Sequence, residues 1–278
     1  MSSSALQCGQ FPNATLHEIT LNEEAQGDTA TTLLYFHGGG YRNTIVGEGH
    51  VPVVLDCAAA ARASRVIFLE YTLAPESEYP GQLAQAARAL EVLLNEQHLR
   101  PSQIILGGDS AGGNLVLALL AHLHHPAPGV SRISGFGEAG EKEQFRCVFL
   151  LSPWVTTSLS AASFRENASR DYLHRAAVRM FLDFWRPREE DVWADILRAE
   201  KDFWATLPVA RMVVTVGDSE VFRDDVKAMA QKCGAGIGDR LTFEVLPREI
   251  HVQAVVDRVL GLPSAPSLVV HLKALQAL

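Results

Sequence analysis

Residues 103–123, QIILGGDSAGGNLVLALLAHL, hold the stretch that decides the fold. Within them GDSAG, Gly108 to Gly112, is a G-x-S-x-G pattern set between an apolar strand-like run, QIILGG, and a run with helical apolar spacing, AGGNLVLALLAHL. Glycine inside a regular element costs roughly 1 kcal/mol relative to alanine, so packing alone would not crowd glycines around one serine. A strand that reverses at once into a helix does require them. Side chains two positions before and after the serine would strike the neighbouring backbone, and Gly108 and Gly112 remove those side chains. Ser110 is then the tip of a strained turn. A phosphate-binding loop would need Lys-Ser or Lys-Thr after its last glycine, and Gly113-Asn114 stands there instead.

Outward from this turn, strand-like and helix-like runs alternate. TLHEITL and TTLLYF are rich in β-formers, VPVVLDCAAAARA is helical, RVIFLEY is a buried strand, and PGQLAQAARALEVLLNEQ has helical spacing. Downstream come strands FRCVFLLS and RMVVTVG, helix RDDVKAMAQKC, strand LTFEVL and a helical C-terminus. This alternation predicts an α/β fold, a mostly parallel central sheet with helices on both faces. Two segments break it. Residues 125–144, rich in Gly, Ser and charge, read as an exposed loop. Residues 155–205 carry aromatics at helical spacing and read as a helical lid inserted over the strand ends, leaving 1–154 and 206–278 as the core.

The chain has 278 residues, 47% hydrophobic, with 24 Lys plus Arg against 32 Asp plus Glu and a formal charge of −8. A large core is within reach, and no basic run exists to neutralise phosphates, which argues against a nucleic-acid partner. Apolar runs such as VVLDCAAAARA carry charges and fall short of the ~20 residues that span a bilayer. The start has neither a basic nor an apolar leader region, which predicts a cytoplasmic chain with no membrane partner. Cys8, Cys57, Cys147 and Cys233 lie far apart and read as free thiols. No metal-ligand spacing is present: the helix-end histidines of HLHH lack a carboxylate to complete a site and read as a solvated helix end.

A second glycine cluster, HGGGY from His37, follows strand TTLLYF. Backbone N–H groups in such a loop can meet an oxyanion, and the loop belongs with G-x-S-x-G. A serine also needs a base and an acid, in the chain order Ser, acid, His. His251, one short loop beyond strand LTFEVL, fits that order; His271 sits in the terminal helix. Asp218, Glu220 and Asp224 of GDSEVFRDD all follow strand RMVVTVG, and the residues alone leave the three open.

With HGGGY, LEYTLAPESEYPGQL, GDSAGG and GDSEVFRDD…EIH, the chain resembles the hormone-sensitive-lipase-like branch of the α/β-hydrolases, particularly its short intracellular fungal esterases, from about residue 31 to about 260. The resemblance implies an α/β-hydrolase fold and a serine carboxylesterase with no cofactor and no metal. The aromatics of residues 155–205, where they line the cleft, predict a small-molecule ester substrate with a short acyl chain on a hydrophobic or secondary-metabolite alcohol. Acyltransferase, thioesterase or arylformamidase chemistry with the same triad, or a non-catalytic small-molecule receptor, are the other readings, and a homodimer is allowed without being required. Gly39, Gly40 and Ala111 take the oxyanion-hole positions. The family's acid motif is Asp-Pro-Leu-x-Asp, and Glu220-Val221-Phe222-Arg223-Asp224 occupies its register, so Glu220 is favoured over Asp218 in a catalytic set of Ser110, Glu220 and His251. Only 36 residues precede His37, which predicts that 155–205 forms most of the lid.

Overall fold

The computed structural model describes residues 1–24, 30–134, 136, 143–188 and 190–278. In chain order the elements are β1 (Ser2–Leu6), β2 (Ala14–Thr20), β3 (Thr32–Phe36), α1 (Gly47–Ala60), β4 (Arg65–Glu70), α2 (Gly81–Glu91), β5 (Ile104–Asp109), α3 (Ser110–His124) and β6 (Cys147–Leu151). They continue as α4 (Ser163–Glu166), α5 (Arg175–Trp185), α6 (Lys201–Ala205), β7 (Met212–Gly217), α7 (Arg223–Ile237), β8 (Leu241–Leu246), α8 (Gln253–Val259) and α9 (Pro266–Gln276). One sheet runs in the order β1-β2-β4-β3-β5-β6-β7-β8. Its β1–β2 and β2–β4 pairs are antiparallel and the rest are parallel.

The parallel strands β3, β5, β6 and β7 are buried along their whole length. That is why they read as unbroken apolar runs, since helices cover both of their faces. On one face Leu34, Phe36, Leu106, Leu150 and Val214 share a core with α2, α3 and α7. On the other, Leu33, Tyr35, Ile105, Phe149 and Val213 pack against α1, α8 and α9. Helix α3 is buried from Ser110 through His122, so it is apolar all round rather than striped. This is the mostly parallel sheet, covered by helices on both faces, that the alternation predicts.

Three local expectations change. Strand β1 was not legible, because Ser2–Ser4 have little β-propensity. It forms as an edge strand on the β2 ladder, exposed except for Leu6. The segment after α3 is only partly a solvated loop: Ala127 and Val130 are buried and Phe136 stacks on Phe145. Residues 135 and 137–142 of it lie outside the described residues. His122 is not solvated either. It is buried, its Nδ1 accepts the Ala127 N–H at 3.0 Å, and its Nε2 lies 3.0 Å from the Ser131 carbonyl.

Residues 155–205, between β6 and β7, carry α4, α5 and α6. The aromatics that mark this stretch divide by role. Phe164, Trp185, Phe203 and Trp204 are buried in the same core as α2 and α3, with Trp185 stacked on Tyr41 at 4.4 Å. Tyr172 and Phe181 instead reach a cleft above the strand ends. Most of the aromatic surface therefore holds the segment to the body; burying each such ring contributes about 3 to 5 kcal/mol against truncation to alanine.

Gly112 carries a test of the local geometry. A Cβ there would lie 1.9 Å from the Phe36 carbonyl oxygen, which is backbone and cannot step aside. Gly112→Ala is expected to lower stability by at least about 3 kcal/mol, read as a fall in thermal or urea midpoint. A midpoint within error of the parent would contradict the packing of α3 on β3.

Candidate active site

The register brings distant loops together at one edge of the sheet. Phe36 pairs with Gly108, so the loop after β3 lies beside the turn after β5. Gly217 pairs with Leu246, which sets the loop carrying Glu220 beside the loop carrying His251. All of these lie at the carboxyl ends of the parallel strands.

Strand β5 ends at Asp109 and α3 begins at Ser110, with no residue between them. Ser110 pays for the reversal with φ +48°, a region sparsely used by side-chain-bearing residues. Ser110 Oγ lies 2.8 Å from His251 Nε2, and His251 Nδ1 lies 3.0 Å from Glu220 Oε2. With the N–H on Nδ1 donated to the carboxylate, Nε2 is left to accept the serine proton. Asp218 is placed elsewhere: its Oδ1 accepts the Arg248 N–H at 2.6 Å and the Ser219 hydroxyl at 2.9 Å. Asp224 faces Ser163 and Arg223.

Ser152 is the partner that no local pattern announced. Its hydroxyl donates to Glu220 Oε1 at 2.6 Å and accepts the Val252 N–H at 3.2 Å, and the Gly217 N–H also donates to Oε1 at 2.6 Å. One oxygen of Glu220 is thus fixed by two donors and the other faces the imidazole. Ser152 adopts φ +47° and the β-branched Val252 φ +50°, so strain gathers around this network.

The glycine loop is held from below. Asp109 Oδ1 accepts the Gly38 N–H at 2.9 Å and the Tyr35 hydroxyl at 2.7 Å, while His50 Nε2 stands 3.4 Å from Oδ2. Gly38 has therefore committed its N–H. Among the described residues no hydrogen bond engages the N–H of Gly39 or Gly40, and Ala111 lies in the first turn of α3, where N–H groups lack intrahelical acceptors. Gly40 sits at φ +63° with the Phe181 ring 2.4 Å from where a Cβ would be, so only glycine fits. Gly39, Gly40 and Ser110 border a cavity of about 370 Å³, walled mainly by Tyr172, Phe181, Val255, Val259 and Leu260.

Charge follows the geometry. Burial pushes the His251 imidazole down, but the hydrogen bond and charge of Glu220, with the charges of Asp171 and Asp109, outweigh it and hold His251 above the ordinary histidine value. His50 is also raised: Asp109 and the Val46 carbonyl overcome its burial. Burial instead lowers His37 to about 4, against a hydrogen bond to the Gly38 carbonyl, and lowers His271 to about 3. Among the described residues no group of three or more His, Cys, Asp or Glu is placed to hold a metal ion, and no helix is long and apolar enough to cross a membrane. The four cysteines are free and buried.

Comparison with known proteins is consistent with this arrangement. Residues 33–255 match the family described as alpha/beta hydrolase fold. An acetyl-hydrolase of Streptomyces hygroscopicus is 30% identical over 223 residues, 80% of this chain and 67% of that protein. A carboxylesterase of Mycobacterium tuberculosis is 33% identical over 164 residues, 58% of this chain and 46% of that one, so the chain spans less than half of this relative. Among solved structures, an esterase of the bacterial hormone-sensitive lipase family superposes with a TM-score of 0.74 at 26% identity, covering 99% of this chain and 84% of the other.

The four histidines give a direct reading of these environments. In a proton NMR titration His251 and His50 are expected to take up their second proton above ~6.5, the value of a free histidine, while His37 and His271 stay neutral down to about pH 5. A His251 midpoint below the free value would mean that the carboxylates do not offset its burial.

Proposed function

We propose, for a chain that belongs to the alpha/beta hydrolase family and is a carboxylesterase-type hydrolase within it, that Ser110, His251 and Glu220 cleave carboxylic esters through an acyl-enzyme. The observation that carries this is the unbroken chain of contacts at 2.8 Å and 3.0 Å from Ser110 Oγ through His251 to Glu220, opening on a cleft. Ser110 gives its proton to His251 Nε2 as Oγ bonds to the ester carbonyl carbon. The carbonyl oxygen becomes an oxyanion, met by the N–H groups of Gly39, Gly40 and Ala111; each such donor is worth about 3 to 4 kcal/mol. His251 then passes its proton to the departing alkoxide oxygen as the C–O bond breaks. Water repeats the sequence on the acyl-serine and frees the acid.

Glu220 orients the imidazole and offsets the imidazolium that forms at each attack. Glutamate extends one methylene beyond the family's aspartate. The Ser152 hydroxyl and the Gly217 N–H hold its outer oxygen, which leaves Oε2 for His251 Nδ1 at 3.0 Å.

The cleft supports the choice of substrate. Its volume is at the small end of ligand pockets, which run from about 300 to 1,000 Å³. Its mouth is apolar and open, with Val259 49%, Leu260 63% and Tyr172 55% exposed. A short acyl chain near Ser110 and a bulky hydrophobic alcohol at the mouth suit both features, in line with the acetyl-hydrolase relative. In this reading residues 155–205 act as the lid, through Tyr172, Leu173 and Phe181, over a core of 1–154 and 206–278.

One panel of p-nitrophenyl esters of rising chain length, run with three variants, tests the proposal. Ser110→Ala is expected to abolish turnover, Glu220→Gln to lose about 10³- to 10⁴-fold, and Asp218→Asn to stay within about threefold. Acetyl to butyryl esters should outpace esters of about twelve carbons, with no activation by emulsified triglyceride. Full turnover in Ser110→Ala sinks the mechanism, and preference for long chains sinks the substrate class.

A further inference from the structure

We infer that Asp171 is a positioning residue of the triad, tying the acid loop to the histidine loop and setting a second negative charge beside the imidazole. The inference rests on the functional reading above. Asp171 lies in the turn between α4 and α5, nearly buried at 8% exposure. Its Oδ2 accepts the Val221 N–H at 2.9 Å, and its Oδ1 accepts the His251 N–H at 3.1 Å and the Leu173 N–H at 3.3 Å. One carboxylate therefore spans the backbone next to Glu220 and the backbone of His251 itself.

Two neutral neighbours brace the same loop. Asn167 Nδ2 donates to the carbonyls of Asp218 at 3.0 Å and Glu220 at 2.7 Å, and the Ser163 hydroxyl donates to the Val221 carbonyl at 2.6 Å. These contacts fix the acid loop but carry no charge and do not touch the histidine loop. Asp171 does both, and all three of its partners are N–H donors, which suits an acceptor-only carboxylate. Among the described residues no lysine, arginine or histidine pairs with it as a salt bridge. Asparagine could accept from only one side: its NH₂ would face an N–H on the other, losing a hydrogen bond along with the charge.

The electrostatic consequence falls on His251. Three carboxylates carry charge toward the imidazole: Glu220 from the loop after β7, bonded to Nδ1; Asp171 from the turn between α4 and α5, bonded to the His251 backbone N–H; and Asp109 from the end of β5, itself beside His50. The uncharged Tyr172 and Phe222 rings lie 6.0 Å and 5.1 Å away. Glu249, two residues before His251, is occupied by the Ser267 N–H at 2.8 Å. When Ser110 attacks, His251 becomes a buried cation. Glu220 compensates it through Nδ1, and Asp171 adds charge along the backbone side. A carboxylate within about 4–6 Å raises a histidine's affinity for its proton by up to 1–3 pH units.

The test compares Asp171→Asn and Asp171→Glu with the parent by pH–rate profile and by NMR titration of His251, which needs no turnover. The acid limb of kcat/KM and the NMR midpoint are expected to fall together by about 0.5 to 1 pH unit in Asp171→Asn, because removing a negative charge favours neutral imidazole. At the plateau kcat should fall about tenfold or more with KM within about twofold, and Asp171→Glu should restore most of the limb position. A folded Asp171→Asn whose limb and midpoint stay at the parental pH overturns the inference, whatever its rate. Should that variant not fold, Asp171→Ser replaces it; failure of both to fold assigns the residue to stability alone and also overturns the inference. Turnover surviving in Ser110→Ala would instead remove the functional reading, leaving the NMR midpoint to decide on Asp171.

Discussion

Everything at this end of the molecule depends on the reversal from β5 to α3 at Ser110. A strand cannot become a helix without an intervening residue unless the turning residue accepts a strained backbone, here φ +48° at Ser110, at a cost of about 1 to 3 kcal/mol. The strain persists because its surroundings leave no alternative. Gly112 leaves no room for a side chain against the Phe36 carbonyl, α3 is buried throughout its first thirteen residues, and Asp109 is locked to Tyr35 and Gly38. The same contacts that force Ser110 outward also carry the glycine loop to its place beside it. Ser110 and the glycine loop are thus positioned by one piece of packing.

The histidine side is assembled differently, from buried charge rather than from tight backbone. Glu220 is fully buried, where an ionised carboxylate is costly unless donors surround it. Three are present: the Ser152 hydroxyl, the Gly217 N–H and the His251 imidazole. Strain reappears at Ser152 and Val252, which share a hydrogen bond across that network. Segment 163–173 then braces both loops from outside through Ser163, Asn167 and Asp171. A stretch whose aromatics suggest a cover therefore also serves as a buttress.

How much of this was legible in the sequence follows from how far each constraint reaches along the chain. The elbow and the glycine loop are written in short runs, because close backbone approach demands glycine at fixed offsets from Ser110 and His37. The parallel strands show as apolar runs because both faces are covered. Chain order singles out His251, whereas the acid needed the family register to prefer Glu220 over Asp218; the structure puts Glu220 against the imidazole and turns Asp218 toward Arg248. Ser152 and Asp171 left no signal. Each acts across a long gap, 68 residues from Ser152 to Glu220 and 80 from Asp171 to His251, and a buried serine or aspartate has no local periodicity to betray it. His122 was misread for the same reason, since its partners come from the loop folding back beneath it.

In the proposed triad His251 and Glu220 activate Ser110 and no other serine. Reaction with a fluorophosphonate, followed by peptide mass spectrometry, tests it most directly, because the phosphorus centre reports nucleophilicity without any choice of substrate. One adduct per chain is expected, on Ser110, forming at least about 10³-fold more slowly in Glu220→Gln or His251→Ala. An adduct on another residue, or labelling of Ser110 at the parental rate in those variants, would contradict it.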